Sequence, residues 1–91
     1  MQDQHAEQIM KLARQLRAEH VQRTPGAVRV EFRGFDRYAS ELGHASVLVR
    51  GEGVHISELR HSTCPQGQRW SSRLAATLQR LDRAARAERL H

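Results

Sequence analysis

The stretch CPQGQRWSSRL, residues 64–74, places a cysteine, a glycine and two arginines at short spacing. Gly67 lies between a strand pattern and a long basic helix, a position where backbone N–H groups of a helix N-terminus bind phosphates in many nucleotide-binding proteins. A lone glycine is a weak motif, however, and the large side chain of Arg69 opposes the close backbone approach that pyrophosphate requires. We therefore interpret this stretch as a turn that leads the chain into the helix.

Cys64 and the histidines are the candidate metal ligands and nucleophiles. His61 and Cys64 are spaced as HxxC, and His55 would supply a third ligand for Zn²⁺, but a fourth ligand does not follow from this spacing. As a nucleophile, Cys64 would need a positioned base such as His61 or His44. The pattern predicts neither a metal site nor a catalytic residue, and we expect a non-enzymatic protein without a cofactor.

Positive charge is concentrated in the last quarter of the chain. The 91 residues carry a net charge of +5, with a pI of about 11.0. Residues 67–91 contain six arginines against Asp82 and Glu88, so +4 of this +5 lies there. A local basic surface favours a polyanionic partner. The alternative is that the arginine bias reflects codon composition.

The basic helix predicted from about residue 69 to 90 has two distinct faces. Its apolar stripe consists of Trp70, Leu74, Leu78, Leu81 and Ala85. Away from this stripe, four cations fall within an arc of about 80°: Arg69, Arg73, Arg80 and Arg83. Guanidinium groups fork onto phosphate oxygens, so we predict that these four bind nucleic acid or a partner. A merely solvated helix face is the alternative interpretation. Packing in the core is the expected role of Trp70.

Three strands and a first helix must position this surface. Apolar residues at spacings of three and four predict a helix over about residues 4–22, which Pro25 and Gly26 would end. Clean alternation in AVRVEFRG predicts a strand over about 27–34. The segment ASVLVRGEGVHISEL predicts a hairpin with strands over about 45–50 and 54–60. Residues 35–44 fit either a short helical turn, which we favour, or a strand.

The predicted hairpin turns at Glu52 and Gly53. This register sets Val49 opposite Ile56, but it also sets Glu58 beside Val47, so the strand is expected to fray or the loop to differ in length. The order of elements predicts an α+β fold of one small domain, residues 1–91, with a three-stranded antiparallel sheet and two helices.

Composition excludes several broad classes. The content of 38% hydrophobic and 27% charged residues is that of a globular protein, and no apolar run approaches the roughly 20 residues of a membrane span. The polar N-terminus lacks the apolar core of a signal peptide, and the single cysteine fits a reducing compartment. We expect a cytoplasmic location.

Residues 54–90 resemble part of the acetyl-CoA-dependent N-acetyltransferases. The strand VHISELRHS, the loop QGQRWSSRL and the following helix are similar to that family's strand, pyrophosphate loop and helix. Gly67 matches the family's loop pattern, whereas Cys64 and Arg69 depart from its first and last positions. The resemblance implies a truncated acetyl-CoA-binding domain, which is our remote alternative.

The order helix, three strands, helix resembles the double-stranded RNA-binding domain. Its last helix opens with a Lys-Lys-x-x-Lys pattern that binds phosphates across the groove. Arg69 and Arg73 match the outer cations of that pattern and Trp70 replaces the middle one, while the family's Gly-Pro-x-His loop is missing. The resemblance implies contact with a phosphate backbone.

These observations predict a small binding protein that docks the basic helix onto nucleic acid or a nucleoprotein complex. The main alternative is a stand-alone protein-binding inhibitor or adaptor, of the kind encoded by phages and mobile elements, without nucleic-acid contact. Pairing of exposed strand edges in a homodimer is left open. Binding that weakens steeply with salt favours the first reading over the second.

Overall fold

The computed structural model describes residues 1–87, which form two α-helices and a four-stranded antiparallel sheet. In chain order the elements are α1 (Asp3–Gln15), β1 (His20–Thr24), β2 (Ala27–Phe35), β3 (Glu41–Arg50), β4 (Gly53–His61) and α2 (Pro65–Arg86). The strands lie in the order β1-β2-β3-β4 across the sheet. The predicted α+β class is confirmed, while the predicted number of strands was wrong. Residues 88–90, to which the prediction extended the last helix, lie outside the described residues.

The additional strand, β1, occupies part of the segment that was predicted as helix to about residue 22. Helix α1 ends earlier because Arg17 adopts a left-handed conformation with φ of 67°. Its N–H and that of the next residue donate to the carbonyls of Arg14 and Ala13, both at 3.0 Å, the bond pair of a Schellman motif. Glycine usually occupies this position, so Arg17 gives no sequence signal for the end of the helix.

Pro25 and Gly26 connect β1 to β2 instead of ending a helix. Thr24 pairs with Ala27 across this two-residue loop, and Gly26 has φ of 73°. Proline followed by a residue with positive φ is the combination that a type II turn requires. The chain therefore folds back at once and pairs β1 with β2.

Residues 36–40 form the loop between β2 and β3, so the segment 35–44 is part turn and part strand. The Asp36 carboxylate accepts hydrogen bonds from Tyr38 N–H at 2.8 Å and from Ser40 N–H at 2.9 Å. This Asx-type bonding satisfies the loop backbone locally. Strand β3 then begins at Glu41, earlier than the predicted start at about residue 45.

The β3–β4 hairpin turns at Gly51 and Glu52, so the predicted turn at Glu52 and Gly53 was wrong. Gly53 is the first residue of β4, pairs with Arg50 and has φ of 127°. A Cβ at this position would overlap the Asp82 carboxylate of α2. Packing of the helix against the hairpin therefore requires glycine here.

The predicted pairing of Glu58 was wrong because β4 contains a β-bulge. Val47 pairs with Ile56, the register then shifts, and Glu58 pairs with Ser46. Ser57 is the extra residue, which moves Glu58 to the face opposite the core. The unfavourable placement of Glu58 beside Val47 in the predicted register therefore does not occur.

Both helices pack on one face of the sheet, α1 over β1 and β2 and α2 over β3 and β4, and they contact each other. The core between the two layers contains Ala6, Ile9, Ala13, Val28, Val30, Phe32, Ala45, Val47, Val49, Leu74, Leu78, Leu81 and Ala85. No strand or helix among residues 1–87 covers the other face of the sheet, which is polar as in other half-solvated antiparallel sheets.

Candidate nucleic-acid interface

Helix α2 begins at Pro65, earlier than the predicted start at about residue 69. Cys64 is the N-cap, and its Sγ accepts a hydrogen bond from Gly67 N–H at 3.3 Å. A Cβ at Gly67 would overlap the Ser62 carbonyl oxygen. Gly67 therefore allows the first helical turn to pack closely on residue 62. Its N–H is bonded to sulfur, so it is not open to a phosphate in this arrangement.

Hydrogen bonds from neighbouring residues act on the Cys64 thiol. Ser62 Oγ donates to Cys64 Sγ at 3.1 Å, and this bond, followed by that from Gly67 N–H, lowers the pKa of the thiol below its ordinary value. His61 Nδ1 is bonded to the Ser62 carbonyl oxygen at 2.9 Å. Residues 1–87 contain no group of three or more His, Cys, Asp or Glu side chains that could hold a metal ion.

Trp70 fixes α2 to the sheet through two glycines. Gly34 of β2 and Gly43 of β3 are cross-strand partners, and a Cβ on either one would overlap the indole ring. The ring thus lies flat over this pair, packed against the core cluster as the sequence predicted. Leu74, Leu78, Leu81 and Ala85 continue the buried side of the helix.

The four predicted arginines all lie exposed on the side of α2 away from the sheet. We call Arg69, Arg73, Arg80 and Arg83 the arginine row. None of the four guanidinium groups forms an ion pair or a hydrogen bond with any other part of residues 1–87. Fourteen residues separate the first from the last, so the row extends about 21 Å along the helix axis. Helix α2 carries five arginines and one aspartate, a net charge of +4.

Arginines on the uncovered face of the sheet are in a different electrostatic setting. The Glu41 carboxylate accepts from Arg33 at 2.6 Å and from Arg60 at 3.1 Å, and Arg60 also bonds Glu58 at 2.6 Å. The Arg33 hydrogen bond, followed by that of Arg60, holds the pKa of Glu41 below its ordinary value. We call Arg33, Glu41, Glu58 and Arg60 the sheet-face network; its cations are neutralised within the protein.

His44 lies within reach of this network. Its Nε2 is 3.7 Å from a Glu31 carboxylate oxygen and its Nδ1 is 3.6 Å from one of Glu58. Two acids that could have neutralised the arginine row therefore face the opposite surface of the molecule. Within residues 1–87, no acidic side chain is paired with the arginine row.

Unpaired cations also occur elsewhere on the surface. Arg29 of β2 and Arg50 of β3 are exposed on the uncovered sheet face and form no ion pair with residues 1–87. They are not arranged in line on one rigid element, whereas the members of the arginine row are. Arg69 and Arg73 also border one shallow depression with Ser72 and Gln68.

Three residues that hold the arginine row in place were not predicted from the sequence. Gly34 and Gly43 seat the helix through Trp70, and Asp82 ties it to the hairpin by accepting the Val54 N–H at 2.9 Å. A glycine inside each of two consecutive strands was the available signal, because strand glycines often mark a close approach. The sequence had no comparable signal for Asp82.

Comparison with protein-family models, curated proteins and solved structures finds no match to this chain. The four strands also depart from the three of the double-stranded RNA-binding domain.

None of the helices in residues 1–87 combines the length and apolarity needed to span a bilayer.

Proposed function

We propose that this protein binds nucleic acid, alone or within a nucleoprotein complex, through the arginine row of α2. The observation that carries the proposal is the contrast between this row and the sheet-face network. Four guanidinium groups lie exposed along one helix and pair with no acid among residues 1–87, while Arg33 and Arg60 are neutralised on the other face.

The dimensions of the row suit a phosphate backbone. Its length of about 21 Å corresponds to roughly six base pairs at a rise of 3.4 Å. Arginine is well suited to this contact because its planar fork binds phosphate oxygens in pairs and stays charged at all relevant pH values. The contact addresses charge and spacing, so it favours binding to the backbone over reading of bases.

Salt dependence tests the proposal directly. Anisotropy titrations with labelled duplex DNA, duplex RNA and single strands would measure the association constant at several salt concentrations. Four phosphate contacts predict a slope of log K against log salt of about −3 to −4 on duplex DNA. Affinity should thus fall about a hundredfold between about 50 and 200 mM salt.

A pair of matched double variants locates the contact. Arg73→Gln with Arg80→Gln removes two charges from the row and should reduce the slope by about 2. Arg29→Gln with Arg50→Gln removes two charges from the sheet face and should leave the slope unchanged. Equal effects of the two double variants, or binding that is indifferent to salt, would overturn the proposal. Salt-indifferent binding to a protein would favour the inhibitor or adaptor alternative.

A further inference from the structure

Strand β4 and helix α2 leave an apolar groove along one edge of the sheet. The strand contributes Val54, Ile56 and Leu59, and the helix contributes Leu74, Ala75 and Leu78. Ile56 and Leu59 are 47% and 45% exposed, although both lie on the core side of the sheet. β4 is the last strand of the sheet, so its outer backbone groups face the same opening. We call this region the β4 groove. Exposed apolar edges of this kind are unusual, because proteins normally protect them.

Two hydrogen bonds show which residues of β4 turn their backbone groups outward. Val54 N–H donates to Asp82 of α2, so it points away from β3. At the other end, Ser62 N–H donates to the Leu42 carbonyl at 2.8 Å and therefore points toward β3. Since the two directions alternate along a strand, Ile56 and Leu59 both present their N–H and C=O groups at the open edge, with the bulge between them.

The bulge makes this edge complementary to itself. Side chains of Val54, Ile56, Leu59 and His61 lie on the core side, and those of residues 55, 57, 58 and 60 lie on the uncovered side. Two β4 strands can pair antiparallel about a twofold axis between Ser57 and Glu58. Each residue then lies opposite a partner residue whose side chain is on the same face of the sheet. A shift of this register by one or two residues sets a core-side residue against one from the uncovered side.

We propose that a second copy of this chain occupies the β4 groove, with the two β4 strands paired antiparallel about that axis. Ile56 then lies opposite the partner's Leu59, and the symmetric pair repeats the contact. Each pair adds two backbone hydrogen bonds, because both residues turn their backbone groups outward. Glu58 lies opposite the partner's Ser57, so the two acids do not face each other. The sheets of the two copies join into one of eight strands.

Charge and size are consistent with this occupant. Asp82 is the one charged side chain among the residues of α2 that line the groove, and it is paired with Arg86 at 2.9 Å, so the two helix flanks meet without net charge. A nine-residue strand is about 30 Å long. With a molecular thickness of 20 Å, the edge presents about 600 Å² in projection, of the order of the 800 Å² per partner that stable interfaces bury. The arginine row lies on another side of α2 and stays exposed.

The mass of the protein without nucleic acid tests the proposal independently of the proposed function. Sedimentation equilibrium should give twice the chain mass of 10.4 kDa. Leu59→Lys places a charge in the groove at a half-exposed edge position and should yield a folded monomer, with an unchanged far-UV circular dichroism spectrum. Phe35→Lys is the matched control, since Phe35 is 48% exposed on the other face, and it should remain a dimer.

Cross-linking tests the register. In a Cys64→Ser background, Ile56→Cys combined with Leu59→Cys should give a covalent dimer under mild oxidation, because hydrogen-bonded cross-strand pairs have Cα atoms about 5.5 Å apart. Combining Gln22→Cys with Val21→Cys on β1 should give none. A wild-type monomer at the highest attainable concentration, open-ended assembly, or a dimer that survives Leu59→Lys would overturn the proposal. A dimer that does not cross-link would overturn the register.

Discussion

The arginine row of α2 and the sheet-face network use the same side chain in opposite ways. On the sheet, neighbouring strands bring acids beside arginines: Glu41 lies between Arg33 and Arg60 and bonds both. On α2, the residues one turn away from each arginine are neutral or cationic on the exposed side, and the helix's one described acid, Asp82, is occupied by Arg86 and the hairpin. Net charge alone does not reveal this difference. Whether an arginine is available to a partner depends on what the fold places next to it.

Charge reversal in the arginine row should have the largest effect on nucleic-acid affinity. Arg73→Glu with Arg80→Glu replaces two proposed phosphate contacts by repulsion, and we expect nucleic-acid affinity to fall by about a hundredfold or more at low salt. Because both side chains are exposed and unpaired within residues 1–87, the free energy of unfolding should change by less than about 0.5 kcal/mol. Anisotropy and thermal denaturation of the same sample would check both expectations. A folded variant that retains full affinity would remove the row from the interface.

The seat of the helix can be tested at Gly43. Gly43→Ala places a methyl group where the Trp70 indole lies, so the ring and α2 must shift. Overpacking of this kind costs about 1–3 kcal/mol, which thermal or urea unfolding would measure. Gly26→Ala is a useful contrast, because nothing lies near its Cβ and its cost comes from the positive φ alone. An unchanged stability of Gly43→Ala would contradict the described packing of Trp70.

Removing one acid from the sheet-face network tests the other side of this contrast. Glu41→Gln removes the carboxylate that bonds Arg33 and Arg60, and it should lower the midpoint of thermal unfolding by less than Gly43→Ala does. It also raises the net charge by one on the face opposite the row. We expect the affinity for nucleic acid to change much less than in the charge-reversed row variant. A large gain in affinity would show that the sheet face binds phosphate once Glu41 no longer pairs with Arg33 and Arg60.

Acid pH should affect the two regions differently. The pKa of Glu41 lies below its ordinary value of 4.5 because of hydrogen bonds from Arg33 and then Arg60. Its contribution to stability is therefore present above pH 4.5 and is lost as pH falls through the lowered pKa. The arginine row contains no carboxylate. Thermal unfolding from pH 7 to pH 3 should show a smaller loss for Glu41→Gln than for the wild type, and equal losses would contradict the lowered pKa.

Local sequence patterns were sufficient for the elements whose signals are periodic. The alternation in β2 and the leucine spacing of α2 predicted both elements. The helical spacing of α2 also placed the arginine row on the exposed side. The secondary-structure predictions failed where a residue adopts a backbone conformation that is rare for its type. Arg17 ends α1 in a conformation typical of glycine, which concealed β1 within a predicted helix. The β3–β4 turn was misplaced by one residue: Gly53 begins β4, at a place where the packing of α2 leaves no room for a Cβ.

The fold class, the helical spacing of the arginines and the excess of positive charge in the last quarter of the chain could all be predicted from the amino-acid sequence. These follow from local periodicity and from charges that can be counted. Which cations are neutralised follows from the tertiary fold, because Arg33 and Arg60 meet Glu41 across strand pairings that depend on register. The tertiary fold likewise decided that β4 is an edge with Ile56 and Leu59 exposed, since strand order and the bulge arise from contacts between distant segments.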